Sequence, residues 1–194
     1  MKRIGILALQ GDFEAHRAAL AEAGAEAVEV RAAAELNRID GLVIPGGEST
    51  TMLKLLTGEK LMEPLRNFGL NKPVFGTCAG AILLAREVLR PPQPSLGLLD
   101  IQIERNAYGR QLDSRVVRIR PEPGANGWFP GGELEAVFIR APIIRRVGSG
   151  VRVLARYQGD PVLVEQGRHL AATFHPELSS DRAVHRLFLA RLDG

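Results

Sequence analysis

The chain has 194 residues, 45% hydrophobic and 24% charged, so it can bury a sizeable core and has the composition of a globular α/β-sized protein. A formal net charge of +3 with no dense Lys/Arg run, and an aromatic content of 5%, argue against a nucleic-acid partner. The single cysteine, Cys78, excludes an intramolecular disulfide and a multi-cysteine zinc site and suits a reducing compartment.

The elements follow in chain order. Ile4–Leu9 is a continuous apolar run, suited to a strand buried on both faces of a parallel sheet. It is too short for the apolar region of a signal peptide. No stretch of the chain approaches the roughly 20 apolar residues of a membrane span. The expectation is a cytoplasmic protein with no membrane association, folded as one domain over residues 1–194.

Phe13 to Ala23 reads as a helix that ends at Gly24. Ala27–Val30 is a short strand, and 41–44 is a buried strand closed by Pro45-Gly46-Gly47. Thr50–Leu56 and Leu61–Phe68 read as helices. Pro73-Val74-Phe75 is a strand that runs into Gly76-Thr77-Cys78-Ala79-Gly80, and Ala81–Leu89 continues as a helix. Strand–turn–helix alternation at this spacing predicts an α/β fold. Its centre is an open, mostly parallel sheet with helices on both faces, the doubly wound, flavodoxin-like arrangement.

Beyond residue 90 the pattern changes. Arg90–Pro94 is a proline-rich loop, and 99–104, 115–120, 134–140, 151–157, 161–166 and 170–174 read as strands. The Gly- and Pro-rich stretch 121–133 reads as a surface loop, and Asp181–Leu192 as a closing helix.

Chemistry concentrates at Gly76-Thr77-Cys78-Ala79-Gly80. The form Gly-x-nucleophile-x-Gly, after a strand and before a helix, is the nucleophile elbow with Cys in place of Ser. Such a turn lifts the thiol above the sheet edge, beside a helix N-terminus that favours an anion, and aims the Ala79 N–H at a developing oxyanion. The alternative is a buried structural cysteine at an ordinary helix start.

A nucleophilic Cys needs a base, and there are four histidines. His16 and His185 fall in predicted helices and read as surface or packing residues; His169 reads as part of a turn. His175 follows an apolar strand and so sits at the carboxyl edge of the sheet, where sites of open α/β folds gather. Pro176 disfavours a helical His175, and in an extended segment His175 and Glu177 share a face. Glu177 can then fix the imidazole tautomer.

These motifs resemble the class I, triad-type glutamine amidotransferases. Further segments narrow the resemblance: Leu9-Gln10-Gly11-Asp12-Phe13-Glu14-Ala15-His16, Pro45-Gly46-Gly47-Glu48-Ser49-Thr50-Thr51-Met52, Glu104-Arg105-Asn106-Ala107-Tyr108-Gly109-Arg110-Gln111 and Phe138-Ile139-Arg140-Ala141-Pro142. Together they are similar to the glutaminase subunits of pyridoxal 5′-phosphate synthases over nearly the whole chain.

The resemblance implies Cys78 as nucleophile, His175 as base and acid, and Glu177 as its orienter. It implies glutamine contacts from Gly47, Glu48, Ser49, Arg105, Ile139 and Arg140, with Gly47 and Ala79 forming the oxyanion hole. It further implies L-glutamine as substrate and ammonia delivery to a barrel-type synthase subunit in a larger hetero-oligomer. No metal or bound cofactor is implied for the glutaminase half. Two rival readings stay open: another cysteine hydrolase on the same fold, and a non-enzymatic module with Cys78 as a redox sensor.

Overall fold

A computed structural model describes residues 1–106 and 114–193. The N-terminal half alternates as the apolar runs predict: β1 (Arg3–Leu7), α1 (Phe13–Glu22), β2 (Glu26–Val30), β3 (Gly41–Ile44), α2 (Ser49–Gly58), α3 (Met62–Asn71), β4 (Val74–Thr77) and α4 (Ala79–Leu84). Eight further strands follow: β5 (Ala85–Leu89), β6 (Leu99–Glu104), β7 (Arg115–Ile119), β8 (Leu134–Phe138), β9 (Ile143–Val147), β10 (Arg152–Tyr157), β11 (Asp160–Gln166) and β12 (His169–Ala172). The helix α5 (Ala183–Ala190) closes the described chain.

The main sheet has the order β10-β11-β12-β4-β3-β1-β2. From β12 to β2 every pairing is parallel, and β10 and β11 extend the sheet antiparallel. With β12 counted as the fifth parallel strand, the order 2-1-3-4-5 is the flavodoxin-like one. The remaining strands form a β5-β6-β9 sheet and a β7-β8 pair.

Strand alternation divides the interior into two cores. In β3, Leu42 and Ile44 face one layer with Met52, Leu56, Leu65 and Phe68 of α2 and α3, while Val43 faces the other with Leu20 of α1 and Phe188 of α5. In β4, Val74 and Phe75 divide the same way. Both sheet faces are therefore covered by helices, which is why these strands are apolar at every position rather than at every second one.

Three expectations fail here. The helix that begins at the elbow stops at Leu84, because Ala85 turns extended (φ −62°, ψ 151°) and Ala85–Leu89 pairs in parallel with β6. The residues Arg86-Glu87-Val88-Leu89 suit a helix well enough, but pairing with β6 overrides that local preference. The strand β9 has no counterpart among the predicted elements; its pattern Ile-Ile-Arg-Arg-Val lacks period-two alternation. The stretch 121–133 is more than a surface loop: a 3₁₀ turn at Pro123–Trp128 carries Ala125 and Phe129 into the second core.

Candidate active site

The carboxyl ends of four neighbouring parallel strands converge. In the order β12, β4, β3, β1 they lead into His175, Cys78, Gly46-Gly47 and Gln10-Gly11. This is the edge at which open α/β sheets gather their ligands.

Cys78 joins β4 to α4 with φ 49° and ψ −107°, a left-handed conformation that costs a non-glycine residue of order 1–3 kcal/mol. Its N–H donates to the Ala172 carbonyl at 2.9 Å, which ties the elbow to β12. The flanking glycines are required by close backbone approach. A Cβ on Gly76 would lie 2.5 Å from the Gly80 carbonyl carbon and oxygen, and one on Gly80 would overlap the Ile44 carbonyl oxygen. The side chain of Cys78 is buried but lines an open cavity of about 290 Å³.

His175 is anchored by its N–H to the Val137 carbonyl, at 2.8 Å, and its Nδ1 lies 2.7 Å from Glu177 Oε1. The two side chains meet across a 3₁₀ turn, Pro176–Leu178, rather than along an extended strand as the i, i+2 argument supposes. His175 has φ −107° and ψ 86°, outside the helical region as the following proline requires. Burial lowers the basicity of its imidazole, but hydrogen bonds to Cys78 and Glu177 and their negative charges outweigh burial and raise the pKa to about 10. A protonated His175 at neutral pH therefore stands between two anion-forming groups. Glu177 is buried, and its Oε2 has no hydrogen-bond partner.

The wall opposite the elbow comes from β3 and α2. Gly46 fits close to both reactive side chains: a Cβ there would lie 2.6 Å from His175 Cε1 and 3.3 Å from Cys78 Cβ. Gly47 has φ 151°, and a Cβ on it would overlap the Gln10 carboxamide. Gln10 Oε1 accepts the Glu48 N–H at 3.1 Å, and a Cβ on Gly11 would overlap the Gly46 carbonyl oxygen. The turn after β1 thus rests directly on the Gly46-Gly47 peptide.

The cavity is lined by Gly47, Glu48, Ser49, Cys78, Ala79, Ile82, Arg105, Asn106, Arg140 and Pro142. Of the expected substrate contacts, Ile139 alone does not line it. Glu48 uses its carboxylate to cap α2, accepting from Thr50 N (3.0 Å), Thr51 N (2.6 Å) and Thr51 Oγ1 (2.8 Å). What burial it has opposes ionisation, yet these hydrogen bonds prevail and hold its pKa at about 2. Arg105 is buried and donates to Thr50 Oγ1 at 2.8 Å, so it is no free surface charge. Arg140 is exposed, with φ 45°. Residues 107–111 of the motif that begins at Glu104 lie outside the described residues.

The other histidines depart from expectation. His16 and His185 are wholly buried in contact with one another, so neither is a surface residue. His169 opens β12, and its Nδ1 accepts the Val74 N–H at 3.2 Å. Spacing alone does not mark Gln10 and His16 as site residues, because each reaches the site only when α1 and the turn after β1 dock on the sheet. Among the described residues no group of three or more His, Cys, Asp and Glu side chains is arranged to hold a metal ion. Nor is any described helix long and apolar enough to cross a membrane.

A strained elbow cysteine at the carboxyl edge of a parallel sheet, with a histidine entering from a neighbouring strand, places the chain among α/β proteins of the triad hydrolase and amidotransferase type. Within that class the model of the SNO glutamine amidotransferase family matches residues 6–193, and the chain belongs to that family. It is 64% identical, over 99% of its length and 100% of the relative's, to the pyridoxal 5′-phosphate synthase subunit PdxT of Solibacter usitatus. It is 57% identical to the protein of the same name from Koribacter versatilis, over 96% and 94% of the two chains. A crystal structure of a glutamine amidotransferase superposes with a TM-score of 0.89 at 46% identity, covering 98% of this chain and 99% of that one. A chain in the structure of PurLQS from Thermotoga maritima, 18% identical with a TM-score of 0.72 over 99% and 100% of the two chains, shares the fold.

Proposed function

We propose that this chain hydrolyses L-glutamine to L-glutamate and ammonia and hands the ammonia to a synthase subunit that makes pyridoxal 5′-phosphate. The names of the full-length relatives support the pathway, and family membership supports the amide substrate. The observation that carries the chemistry is the linked series Cys78, His175 and Glu177, of which Cys78 lines a cavity that also presents Arg105 and Arg140 while His175 and Glu177 lie behind it.

The Cys78 thiolate attacks the side-chain amide carbon of glutamine, forming a C–S bond. The N–H groups of Gly47 and Ala79 take the negative charge that develops on the amide oxygen. His175, already protonated, gives its proton to the departing nitrogen, so ammonia leaves and a glutamyl thioester remains. The now neutral imidazole takes a proton from water, whose oxygen attacks the thioester. Glutamate leaves and the thiolate–imidazolium pair is restored. Glu177 holds Nδ1 throughout. Arg105 and Arg140 receive the substrate α-carboxylate, a pairing that guanidinium groups serve well, and Ser49 and Glu48 complete the substrate contacts from the cavity lining. The partner is a barrel-type subunit in a hetero-oligomer, working in the cytoplasm, and residues 1–194 act as one domain.

The testing experiment is a glutaminase assay of the purified chain with and without the synthase subunit. Glutamate release that depends on Cys78 is expected. Peptide hydrolysis in preference to glutamine hydrolysis would favour a different cysteine hydrolase.

A further inference from the structure

Behind the candidate triad lies a second, wholly buried set of polar groups that the proposed reaction leaves unused. His16 of α1 and His185 of α5 are both at 0% exposure, packed edge-on against Phe75 of β4. His16 Nδ1 lies 3.1 Å from His185 Nε2. His16 Nε2 lies 3.1 Å from Thr77 Oγ1, in the residue before Cys78, and 3.4 Å from Glu177 Oε2. Two atoms of this set have no hydrogen-bond partner: Glu177 Oε2 and His185 Nδ1.

The proton positions follow from satisfaction. Burial, with the adjacent imidazoles disfavouring a charge beside them, drives the His16 pKa well below its ordinary value, and burial with the Arg182 and Arg186 charges lowers that of His185 to about 3. Each ring is neutral and carries one N–H. If His16 were protonated on Nδ1, it would donate to His185 Nε2. His185 would then carry its proton on the partnerless Nδ1, a buried orphan donor, and the lone pair of His16 Nε2 would face the Glu177 carboxylate. The opposite assignment removes both conflicts. His185 Nε2–H donates to His16 Nδ1, His16 Nε2–H faces Glu177 Oε2 and Thr77 Oγ1, and the bare nitrogen is His185 Nδ1, an acceptor. Buried orphan donors are the rarer and costlier case.

We propose that His16 is a positioning residue for the glutaminase reaction: its Nε2–H, fixed by His185 and shared with Thr77 Oγ1, lies 3.4 Å from the second oxygen of Glu177 and steadies it electrostatically rather than by a formed hydrogen bond, so that Oε1 stays aimed at His175 Nδ1. The role rests on the triad reading above and extends it by two residues contributed by α1 and α5. A carboxylate held at one oxygen only, in a site without solvent, can rotate about its terminal torsion or take up a proton; either would release His175 from its working orientation. His16 touches neither substrate nor thiol, and acts through Glu177.

Two measurements test this on the full chain. The first is the tautomeric state of His16, read from ring nitrogen shifts in histidine-labelled protein by NMR. The Nε2–H form is expected, and an Nδ1–H form would overturn the proposal without reference to activity. The second is a double-mutant cycle on glutamine turnover, assayed with the synthase partner present. His16→Leu should lower kcat by about 10- to 100-fold with little change in KM. In a Glu177→Gln background the same change should cost less than about threefold, because the group it acts through is already altered. His16→Gln, which retains a donor near the Nε2 position, should recover part of the loss. An equal cost of His16→Leu in both backgrounds would show a packing role alone and overturn the inference. Cys78→Ala runs alongside: if it kept full turnover, the triad reading itself would fail, a result distinct from an inert His16→Leu beside a dead Cys78→Ala. Should His16→Leu not fold, the tautomer measurement and the His16→Gln cycle still decide the question.

Discussion

Nδ1 of His175 sits 2.7 Å from Oε1 of Glu177, two residues further on, across a 3₁₀ turn that begins at Pro176. In the proposed reaction the imidazole moves protons in both half-reactions, whereas the carboxylate only orients it. His175→Asn is therefore expected to lower kcat nearly as far as loss of the nucleophile does, by about 10³-fold or more. Glu177→Gln keeps a hydrogen-bonding atom in place and should be milder. Steady-state kinetics of the two variants check the order; a fully active His175→Asn would remove His175 from the mechanism.

The same contact predicts a titration. His175 has a folded-state pKa raised to about 10 from an ordinary 6.5. A raised pKa means that the folded protein holds the proton more tightly than the unfolded chain. The stability this contributes is fully present below about pH 6.5 and is lost as pH rises through about 10. Cys78→Ala removes one of the two anionic partners, so the titration midpoint of the His175 ring should fall, with Glu177 alone opposing the effect of burial. Ring-proton NMR against pH measures it. An unchanged midpoint in the variant would mean that the thiolate and imidazolium do not form a pair.

Gly80→Ala gives a test whose sign is set by the fold. In an isolated helix this change stabilises by about 1 kcal/mol. Here the added methyl overlaps the backbone carbonyl of Ile44, which cannot rotate aside. A net destabilisation of about 1–3 kcal/mol is expected, read as a lower urea midpoint, together with loss of glutaminase activity as the elbow shifts. A raised midpoint would mean that α4 does not lie against β3 as described.

Gln10 supports the Gly46-Gly47 peptide through its hydrogen bond to the Glu48 N–H. The proposed reaction needs the Gly47 N–H directed at the oxyanion, and glycine can change backbone orientation at little cost. A docked synthase subunit can favour the competent orientation by pressing on the turn after β1. The chain alone should then be a poor glutaminase, strongly activated by the partner, with Gln10→Ala losing much of that activation. Equal wild-type turnover with and without partner would defeat the switch and leave the triad untouched.

Arg140→Ala should raise KM for glutamine more than it lowers kcat, since a cation opposite the substrate α-carboxylate stabilises bound substrate and transition state alike. Arg105→Ala should do the same and also loosen α2, because Arg105 donates to Thr50 Oγ1. Unchanged glutamine saturation in Arg140→Ala would take that residue out of the substrate site.

Much of this arrangement is legible in the sequence for a local reason. The elbow glycines, the apolar runs of β1, β3 and β4, and Pro176 after His175 act through their own backbone or that of near neighbours, so spacing alone carries them. What spacing does not carry depends on distant partners. Ala85–Leu89 is a strand only because Leu99–Glu104 lies beside it. Arg105 is buried with its guanidinium bonded to Thr50 of α2, and His16 meets Glu177 only after α1 docks against a segment far along the chain. Residues 121–133 look like a surface loop by composition, yet Phe129 anchors them in the second core. In each case tertiary contact decides what local composition leaves open.

In the proposed reaction Cys78 is the nucleophile for glutamine. The most direct test of that role is covalent labelling by an electrophilic glutamine analogue, read by mass spectrometry of the intact chain and of its peptides, with the synthase partner present. One adduct per chain is expected, located at Cys78, slowed by excess glutamine and absent from Cys78→Ala, which should also have lost glutaminase turnover. No adduct on the wild type, an adduct indifferent to glutamine, or a Cys78→Ala variant that still releases glutamate at the wild-type rate would contradict it.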